Sequence, residues 1–264
     1  MLSYRFLSAV ILIPLVALLV YLGGLWFLAL ILAVVGIATW EYVSLVRKGG
    51  YRAPYAFALA LVWLLILDAY WPEWGLMRPG LVLILASSLI WQLAQRNSST
   101  SMEDWGLPLA GGLYLGWFGS HFISLRTLDN GSVWLTYALL VIWATDTAAY
   151  FVGMAWGRHQ MSPRWSPKKT WEGAGGGLVA GLMVAVLLAW LFRLGIAHGF
   201  IIGLLIPTLT PFGDLAISMI KRQVGAKDSG HIIPGHGGFL DRIDSLLFAA
   251  VIVYYYALWT TGTM

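Results

Sequence analysis

The sequence predicts an all-α, polytopic integral membrane protein of about nine transmembrane helices, with a cytoplasmic N-terminus and an external C-terminus. Hydrophobic residues make up 59% of the 264-residue chain and charged residues only 11%. The mean hydropathy of +0.78 lies well above that of soluble domains. The chain also divides into apolar stretches close to the length of about 20 residues that a helix needs to cross a bilayer.

Each apolar stretch is bounded by polar or turn-forming residues and is interpreted as one helix. The first stretch follows Arg5 and could be mistaken for a secretory signal, but no small-residue cleavage site follows it and another span comes at once. It is therefore interpreted as a retained helix. In chain order the predicted spans are 7–22, 25–41, 55–71, 78–93, 105–124, 132–151, 173–192, 199–220 and 245–260.

The distribution of basic residues predicts the orientation. With nine spans and the N-terminus inside, the cytoplasmic side receives all sixteen Lys and Arg residues except Arg78, Arg126 and Arg193, as the positive-inside rule requires. The same loops account for the net charge of +4, so no nucleic-acid partner is expected. The chain has no cysteine, which excludes disulfides, thiolate metal sites and cysteine nucleophiles.

Two regions with different roles are predicted. Residues 1–130 form N-terminal helices for packing, dimerisation or lipid access. Residues 131–264 form a catalytic region with two polar cytoplasmic loops, 152–172 and 221–244, where the chemistry is expected. The glycine-rich stretch 173–177 opens the seventh span and favours close helix packing. Its spacing does not match a P-loop, and no strand is predicted before it.

Two aspartates, Asp146 and Asp214, lie inside spans six and eight near their cytoplasmic ends. An ionised carboxylate at such depth costs a few kcal/mol unless it is paired, hydrated or metal-bound. Both a metal site and an ion pair with a loop lysine satisfy this requirement. Pro207 and Pro211 predict a kink or break in span eight, and a polar cavity opening to the cytoplasm is a hypothesis that follows.

Asp241 and Asp244 are three residues apart, so on a helix beginning near Phe239 they share one face. They could bind one cation or two neighbouring ones, or they could be aspartates at an exposed helix N-terminus, where they are favoured anyway. Together with Asp146 and Asp214 they favour a metal site. Oxygen ligands without cysteine favour Mg²⁺ over zinc.

The segment 235–238 is interpreted as a loop whose amides face phosphate oxygens, with His236 donating a hydrogen bond. A tight turn without a ligand is the alternative. The spacing of His231 and His236 matches no recurrent zinc pattern.

The other polar loop, SPRWSPKKTWEG, combines lysines and hydroxyl groups just before the glycine-rich helix. This combination suits phosphate binding, although a basic loop resting on anionic lipid would look the same. Carboxylates able to bind Mg²⁺ and basic groups converge on the cytoplasmic side. This arrangement predicts phosphoryl or nucleotidyl transfer.

These residues resemble the signature of the phosphatidate cytidylyltransferase family, also called CDP-diacylglycerol synthases. The resemblance covers roughly residues 143–245, and the first 130 residues match only as hydrophobic helices. The matching positions are Asp146-Thr147, Ala149-Tyr150, Gly153, Ser166-Pro167-Lys168-Lys169-Thr170, Glu172-Gly173, Ser218, Lys221-Arg222, Lys227-Asp228, Pro234, His236-Gly237-Gly238, Asp241-Arg242 and Asp244.

The resemblance implies that CTP and phosphatidic acid react to give CDP-diacylglycerol and pyrophosphate. It implies one or two Mg²⁺ ions, with room for a monovalent cation, in a homodimer that contacts membrane lipid. The protein would lie in the inner (cytoplasmic) membrane with its active site facing the cytoplasm.

The residues and the resemblance together assign roles to three groups of positions. The catalytic group is Asp214, Asp241, Lys227, Asp228, His236 and Arg242. The substrate-binding group is Ser166, Lys168, Lys169, Thr170, Glu172, Ser218, Lys221, Arg222, Gly237 and Gly238. The metal ligands are Asp146, Asp214, Asp241 and Asp244, with Asp214 and Asp241 as the principal pair.

Three other functions compete with this one. An ion-coupled transporter also uses kinked spans with intramembrane carboxylates, but places them near the midplane. A CDP-alcohol phosphotransferase would carry a D-G-x-x-A-R pattern, which is not found. A lipid kinase makes similar demands on its site, and only the identity of the transferred group separates it.

Overall fold

The structure, a computed structural model, describes residues 2–95, 98–230 and 237–261. Within them the chain forms nine α-helices, one 3-10 turn at Pro72–Trp74 and two short strands. The helices are α1 (Leu2–Leu22), α2 (Gly24–Lys48), α3 (Tyr55–Tyr70), α4 (Met77–Ala94), α5 (Ser101–Thr127), α6 (Gly131–Trp156), α7 (Trp171–Leu191), α8 (Ile196–Gln223) and α9 (Leu240–Thr261). The strands are β1 (Gln160–Ser162) and β2 (Ser166–Thr170).

Each of the nine apolar stretches coincides with one helix, so the helix positions are confirmed. Among the described residues, α2, α4, α6, α7, α8 and α9 are long and apolar enough to cross a membrane. The α3 helix is shorter, with 16 residues. The chain is a multi-pass membrane protein, while the count of nine crossings and the orientation of the termini stay predictions.

The all-α expectation needs one correction, because the loop 152–172 contains an antiparallel hairpin. Strands β1 and β2 pair Gln160 with Thr170 and Ser162 with Ser166, so a strand does precede the glycine-rich helix. Prolines 163 and 167 disfavour a helix here. The strands are too short and too polar to show the alternating apolar pattern by which a strand is recognised.

Of the kink or break predicted for span eight, the break is wrong, because α8 continues through Pro207 and Pro211, and the kink stays a prediction. Pro207 lies against Gly181 of α7, where a side chain would overlap its ring. The Thr210 hydroxyl donates to the Ile206 carbonyl one turn earlier, at 2.7 Å. Such side-chain bonds and close neighbours let a membrane helix tolerate proline.

The residues group into two compact units by their contacts. Unit 1 comprises Met1–Ser124 and Ile220–Ile243, and unit 2 comprises Leu125–Met219 and Asp244–Met264. Helices α5, α8 and α9 therefore each contribute residues to both. The functional division near residue 130 stays a prediction, because compactness does not report which residues carry chemistry.

Unit 1 is built on α2, α3, α4 and α5. Leu61, Leu65, Ile84 and Leu109 form a buried cluster between α3, α4 and α5. A glycine on α5 permits close approach, since a Cβ at Gly112 would lie 2.9 Å from the Ala58 carbonyl oxygen. The α5 helix thus packs directly on the α3 backbone.

Unit 2 is dominated by the packing of α7 on α6. A Cβ at Gly173 would lie 2.7 Å from the Ala149 carbonyl oxygen, and one at Gly177 would lie 3.0 Å from the Thr145 carbonyl oxygen. The packing role predicted for the glycine-rich stretch is therefore confirmed. This packing fixes the start of α7 and the hairpin that precedes it.

Candidate active site

In unit 2 the hairpin brings a lysine to the carboxylate of α8. Lys169 Nζ lies 2.7 Å from Asp214 Oδ2 and donates to the Pro211 carbonyl oxygen at 3.3 Å. Ser218, one turn after Asp214, donates its hydroxyl to Asp214 Oδ1 at 3.1 Å. These three side chains, Lys169, Asp214 and Ser218, form the Asp214 cluster. The ion pair with a loop lysine that the sequence left open for Asp214 is present.

Two residues predicted to bind substrate, Thr170 and Glu172, also hold the hairpin in place. Thr170 caps α7 by accepting from the Gly173 amide at 3.2 Å. Glu172 accepts from the backbone amides of Arg158 at 3.1 Å and His159 at 3.2 Å, and lies 2.6 Å from His159 Nδ1. Both contacts restrict the strand that carries Lys169. In the structure Thr170 and Glu172 therefore help to position Lys169, which is a candidate for binding phosphate.

In unit 1 the ends of α8 and α9 come together around a second aspartate. Lys221 Nζ lies 2.5 Å from Asp241 Oδ1. Ser229 donates to Asp241 Oδ2 through both its amide and its hydroxyl, each at 2.9 Å. The α9 helix begins at Leu240, one residue from the predicted start, so Asp241 lies in its first turn. An anion is favoured there by the helix dipole.

Glu41 of α2 joins the same cluster, and sequence reasoning missed it. Its Oε2 accepts from the Leu240 amide at 2.9 Å and lies 3.1 Å from the Ser229 hydroxyl. The residue is 1% exposed. The signal was present in the sequence, because an acidic residue at the end of an apolar span is unusual. Glu41, Lys221, Ser229 and Asp241 form the Asp241 cluster.

Two glycines of the signature make this cluster possible. Gly237 has φ +79°, a conformation that residues with a Cβ rarely adopt. A Cβ at Gly238 would overlap both the Ser229 hydroxyl and Glu41 Oε2. The backbone at Gly238 therefore approaches the carboxylate as closely as only glycine allows.

The remaining predicted positions differ in exposure. Ser166 on β2 is half-buried. Asp244 is buried, and its Oδ1 accepts from the Ser245 amide at 2.7 Å. His236 lies outside the described residues. Six predicted residues are exposed: Asp146, Lys168, Arg222, Lys227, Asp228 and Arg242.

Asp146 on α6 is near enough to the Asp214 cluster for the charges of Lys169 and Asp214 to act on it. Its place among the metal ligands stays a prediction.

The donor chemistry of these clusters fits Mg²⁺, which prefers carboxylate oxygens. In the part of the chain that the structure describes, no three His, Asp or Glu side chains gather as a metal centre would require. Instead, Lys169 and Lys221 neutralise one aspartate each. The four predicted metal ligands stay a prediction, in which the carboxylates of Asp146, Asp214, Asp241 and Asp244 would hold the ion.

The two clusters differ in access. The side chains of Lys169 and Asp214 are 26% and 33% exposed, whereas those of Lys221 and Asp241 are 11% and 12% exposed. The Asp214 pair can thus exchange partners with a solute more readily. The Asp241 pair is more enclosed, so its geometry depends more strongly on its protein neighbours.

Comparison with known proteins gives matches along nearly the whole chain. A family model described as the cytidylyltransferase family matches residues 3–259. A phosphatidate cytidylyltransferase of Bacillus subtilis is 32% identical over 257 residues, which are 95% of this chain and 96% of that protein. One of Brucella suis is 37% identical over 264 residues, covering 96% and 92% of the two chains. One of Mycobacterium bovis is 33% identical over 259 residues, covering 91% and 82%.

Proposed function

The chain belongs to the cytidylyltransferase family and is a nucleotidyltransferase, and we propose that it transfers the cytidylyl group of CTP to phosphatidate. The products would be CDP-diacylglycerol and pyrophosphate. The observation that carries this proposal is the extent of the match, because relatives named for this activity align with both halves of the chain. The lysine–aspartate pairs supply groups that such a reaction needs.

The reaction joins two anions, and this determines what the protein must provide. A phosphate monoester has a second pKa near 6, so phosphatidate is largely dianionic at neutral pH. One of its oxygens forms a bond to the α-phosphorus of CTP, and the bond from that phosphorus to the oxygen between the α- and β-phosphates breaks, which releases pyrophosphate. Since the nucleophile is already deprotonated, no general base is required. The site must reduce repulsion and stabilise the leaving pyrophosphate.

Lys169 and Lys221 are the strongest candidates for this task. Each ammonium group rests on a carboxylate in the structure and could turn from it to a phosphate oxygen when CTP binds. Asp214 and Asp241 are the residues that would hold Mg²⁺, and the ion would supply positive charge to offset that of the phosphates. Arg222, Lys227, Lys168 and Arg242 are exposed and available to further phosphate oxygens.

We place the reaction at the cytoplasmic face of the inner membrane. This placement is supported by the accumulation of basic residues in the two polar loops and by the membrane character of the substrate. A homodimer is likewise part of the proposal and follows from the family resemblance.

The test is to follow each phosphate of CTP separately. Purified protein in mixed micelles with phosphatidate and Mg²⁺ receives CTP labelled at the α- or the γ-phosphate. We expect the α-label in the lipid product and the γ-label in pyrophosphate, with both reactions stopped by EDTA and restored by excess Mg²⁺.

Two other outcomes would overturn the proposal. Transfer of the γ-label to lipid would identify a lipid kinase. If no CTP is consumed, whether or not phosphatidate is present, a transporter would be favoured instead.

A further inference from the structure

Glu41 is a buried carboxylate that the proposed reaction does not use. It is 1% exposed, and its Oε1 has no hydrogen-bond partner among the described residues. Burying a carboxylate in this way is costly, and natural proteins keep such groups where they serve a purpose. A leucine would fill the same space in an apolar helix at no such cost.

The contacts of Oε2 show what the carboxylate holds. It accepts from the Leu240 amide, the first amide of α9, and it lies 3.1 Å from the Ser229 hydroxyl. That hydroxyl lies 2.9 Å from Asp241 Oδ2. Ser229 Oγ therefore lies between the Glu41 and Asp241 carboxylates, and its one proton can be donated to either of them at a time.

The backbone around this connection is packed too closely to adapt. A Cβ at Gly230 would overlap Glu41 Oε1, and a Cβ at Gly238 would overlap Glu41 Oε2. Glu41 is thus enclosed between the backbone at Gly230 and the backbone at Gly238.

We propose that Glu41 is a positioning residue that fixes the Asp241 carboxylate through Ser229 and through the start of α9. Its catalytic consequence rests on the proposed function, in which Asp241 holds the metal ion. In this way a helix from the N-terminal part of the chain, for which the sequence predicted no chemistry, contributes to the geometry of the site.

A purely structural role is the alternative, in which Glu41 only caps α9. Both roles predict a lower melting temperature for Glu41→Ala. Only positioning predicts that the remaining folded protein turns over more slowly, because an outer group that orients a metal ligand typically contributes about 10–100-fold to activity or affinity.

The experiment compares Glu41→Ala, Glu41→Gln, Ser229→Ala and the double variant Glu41→Ala/Ser229→Ala. Thr39→Ala is the matched control, since Thr39 is fully buried on the same helix and its hydroxyl donates to the Val35 carbonyl of that helix. Turnover is measured per folded molecule, as kcat and KM for CTP and as the Mg²⁺ concentration giving half-maximal rate.

We expect Glu41→Ala to lower kcat about 10–100-fold and to raise the Mg²⁺ requirement, with KM for CTP changed less than about threefold. Glu41→Gln keeps an acceptor oxygen and should restore most of the turnover. Ser229→Ala should reproduce the loss, and the double variant should lose little more, because both substitutions break one connection.

Three results would overturn the proposal. These are normal kcat in folded Glu41→Ala, a Glu41→Gln variant as slow as Glu41→Ala, or losses that multiply in the double variant. If Glu41→Ala does not fold, a normal kcat in Ser229→Ala still overturns the proposal, because this variant removes the connection to Asp241 and leaves the bond from Leu240 to Glu41 intact.

A measurement that does not depend on turnover, the conformation of the Asp241 side chain, separates this inference from the proposed function. The structure of Ser229→Ala or Glu41→Ala without substrate should show the Asp241 side chain in a changed conformation, and an unchanged one would contradict positioning. If the wild-type protein forms no CDP-diacylglycerol, the proposed function fails, while the conformation of Asp241 still answers the question about Glu41.

Discussion

Lys169 and Lys221 each rest on an aspartate that the proposed reaction needs. Pairing lowers the cost of keeping a carboxylate near the membrane. It also keeps a lysine ammonium group next to each predicted metal ligand, and a phosphate can attract that group. At the residue scale, the same side chains therefore stabilise each other in the absence of substrate and, in the proposed reaction, would bind it.

Replacing either aspartate should stop the reaction without removing the fold. Asp214→Asn and Asp241→Asn keep shape and hydrogen bonding but remove the charge that holds the lysine and a metal ion. We expect kcat to fall by more than about a hundredfold, beyond the usual effect of an outer group. Formation of labelled CDP-lipid by purified protein measures it.

Asp129→Asn is the matched control for this pair. Asp129 is exposed in the link between α5 and α6, and its replacement should leave turnover unchanged. Near-normal rates in both site variants would remove Asp214 and Asp241 from the metal site.

The same residues show how far sequence could reach at this scale. Asp214 and Asp241 were identified because charges in an apolar chain are conspicuous. The pairing of Lys221 with Asp241 across 20 positions could not be assigned, because four lysines lie in the two polar loops. Glu41 was overlooked because its partners lie 188 and 199 positions away, and no local pattern announces such contacts.

Helix packing in this chain depends on glycine, and α7 provides an internal comparison at the element scale. Apolar periodicity predicts where α7 lies. Which of its glycines face α6 depends on the tertiary packing, which the periodicity does not report. The hairpin before it was missed for a related reason, since its strands are stabilised by each other and by Glu172 rather than by an apolar pattern.

Gly173→Ala and Gly175→Ala should have opposite effects on stability. A Cβ at Gly173 would press on the Ala149 carbonyl, whereas a Cβ at Gly175 would meet open space. We expect Gly173→Ala to destabilise by about 1–3 kcal/mol and Gly175→Ala to be neutral or to stabilise by up to about 1 kcal/mol. Melting temperatures in detergent measure both, and equal shifts would contradict the packing of α7 on α6.

The start of α5 should make stability depend on acidic pH. Asp104 accepts from the Arg52 amide and from the hydroxyls of Ser98 and Thr100. Burial acts to raise the pKa of the Asp104 carboxyl, but these hydrogen bonds and the Arg52 charge outweigh it and hold the pKa below its usual range. A lowered folded-state pKa stabilises the fold above the unfolded value of about 3.9 and loses this contribution as pH falls through the folded pKa.

Asp104→Asn should therefore lower the melting temperature at neutral pH, with the difference from wild type shrinking below about pH 4. Melting curves between pH 3 and pH 8 test this expectation. The exposed neighbour Glu103 serves as control, since Glu103→Gln should change little. A gap of constant size down to pH 3 would assign the effect to packing instead of charge.

At the scale of the whole molecule, composition was sufficient to predict a multi-pass helical protein, and all nine apolar stretches are helices. How many cross the bilayer is not decided by helix position alone, because six are long and apolar enough by themselves. The basic residues predict which side each link faces, and that prediction can be tested directly.

The absence of native cysteine allows the orientation to be mapped with single introduced thiols. Gln223→Cys at the end of α8 should react with a membrane-impermeant reagent only when the cytoplasmic face is accessible. Asp129→Cys, between α5 and α6, should react from outside in intact cells. Both positions are exposed. Labelling of both from one side would rule out the predicted topology.

The bond between Glu41 and the Leu240 amide spans 199 positions, and this separation has a consequence for biogenesis. The α2 helix is synthesised long before α9. The Glu41 carboxylate therefore lacks its native partners until synthesis is nearly complete. A chain truncated before residue 240 would retain the Glu41 carboxylate among apolar helices without the Leu240 amide that donates to it. Premature stop codons late in the gene should therefore yield protein that is degraded, rather than a shortened enzyme that persists.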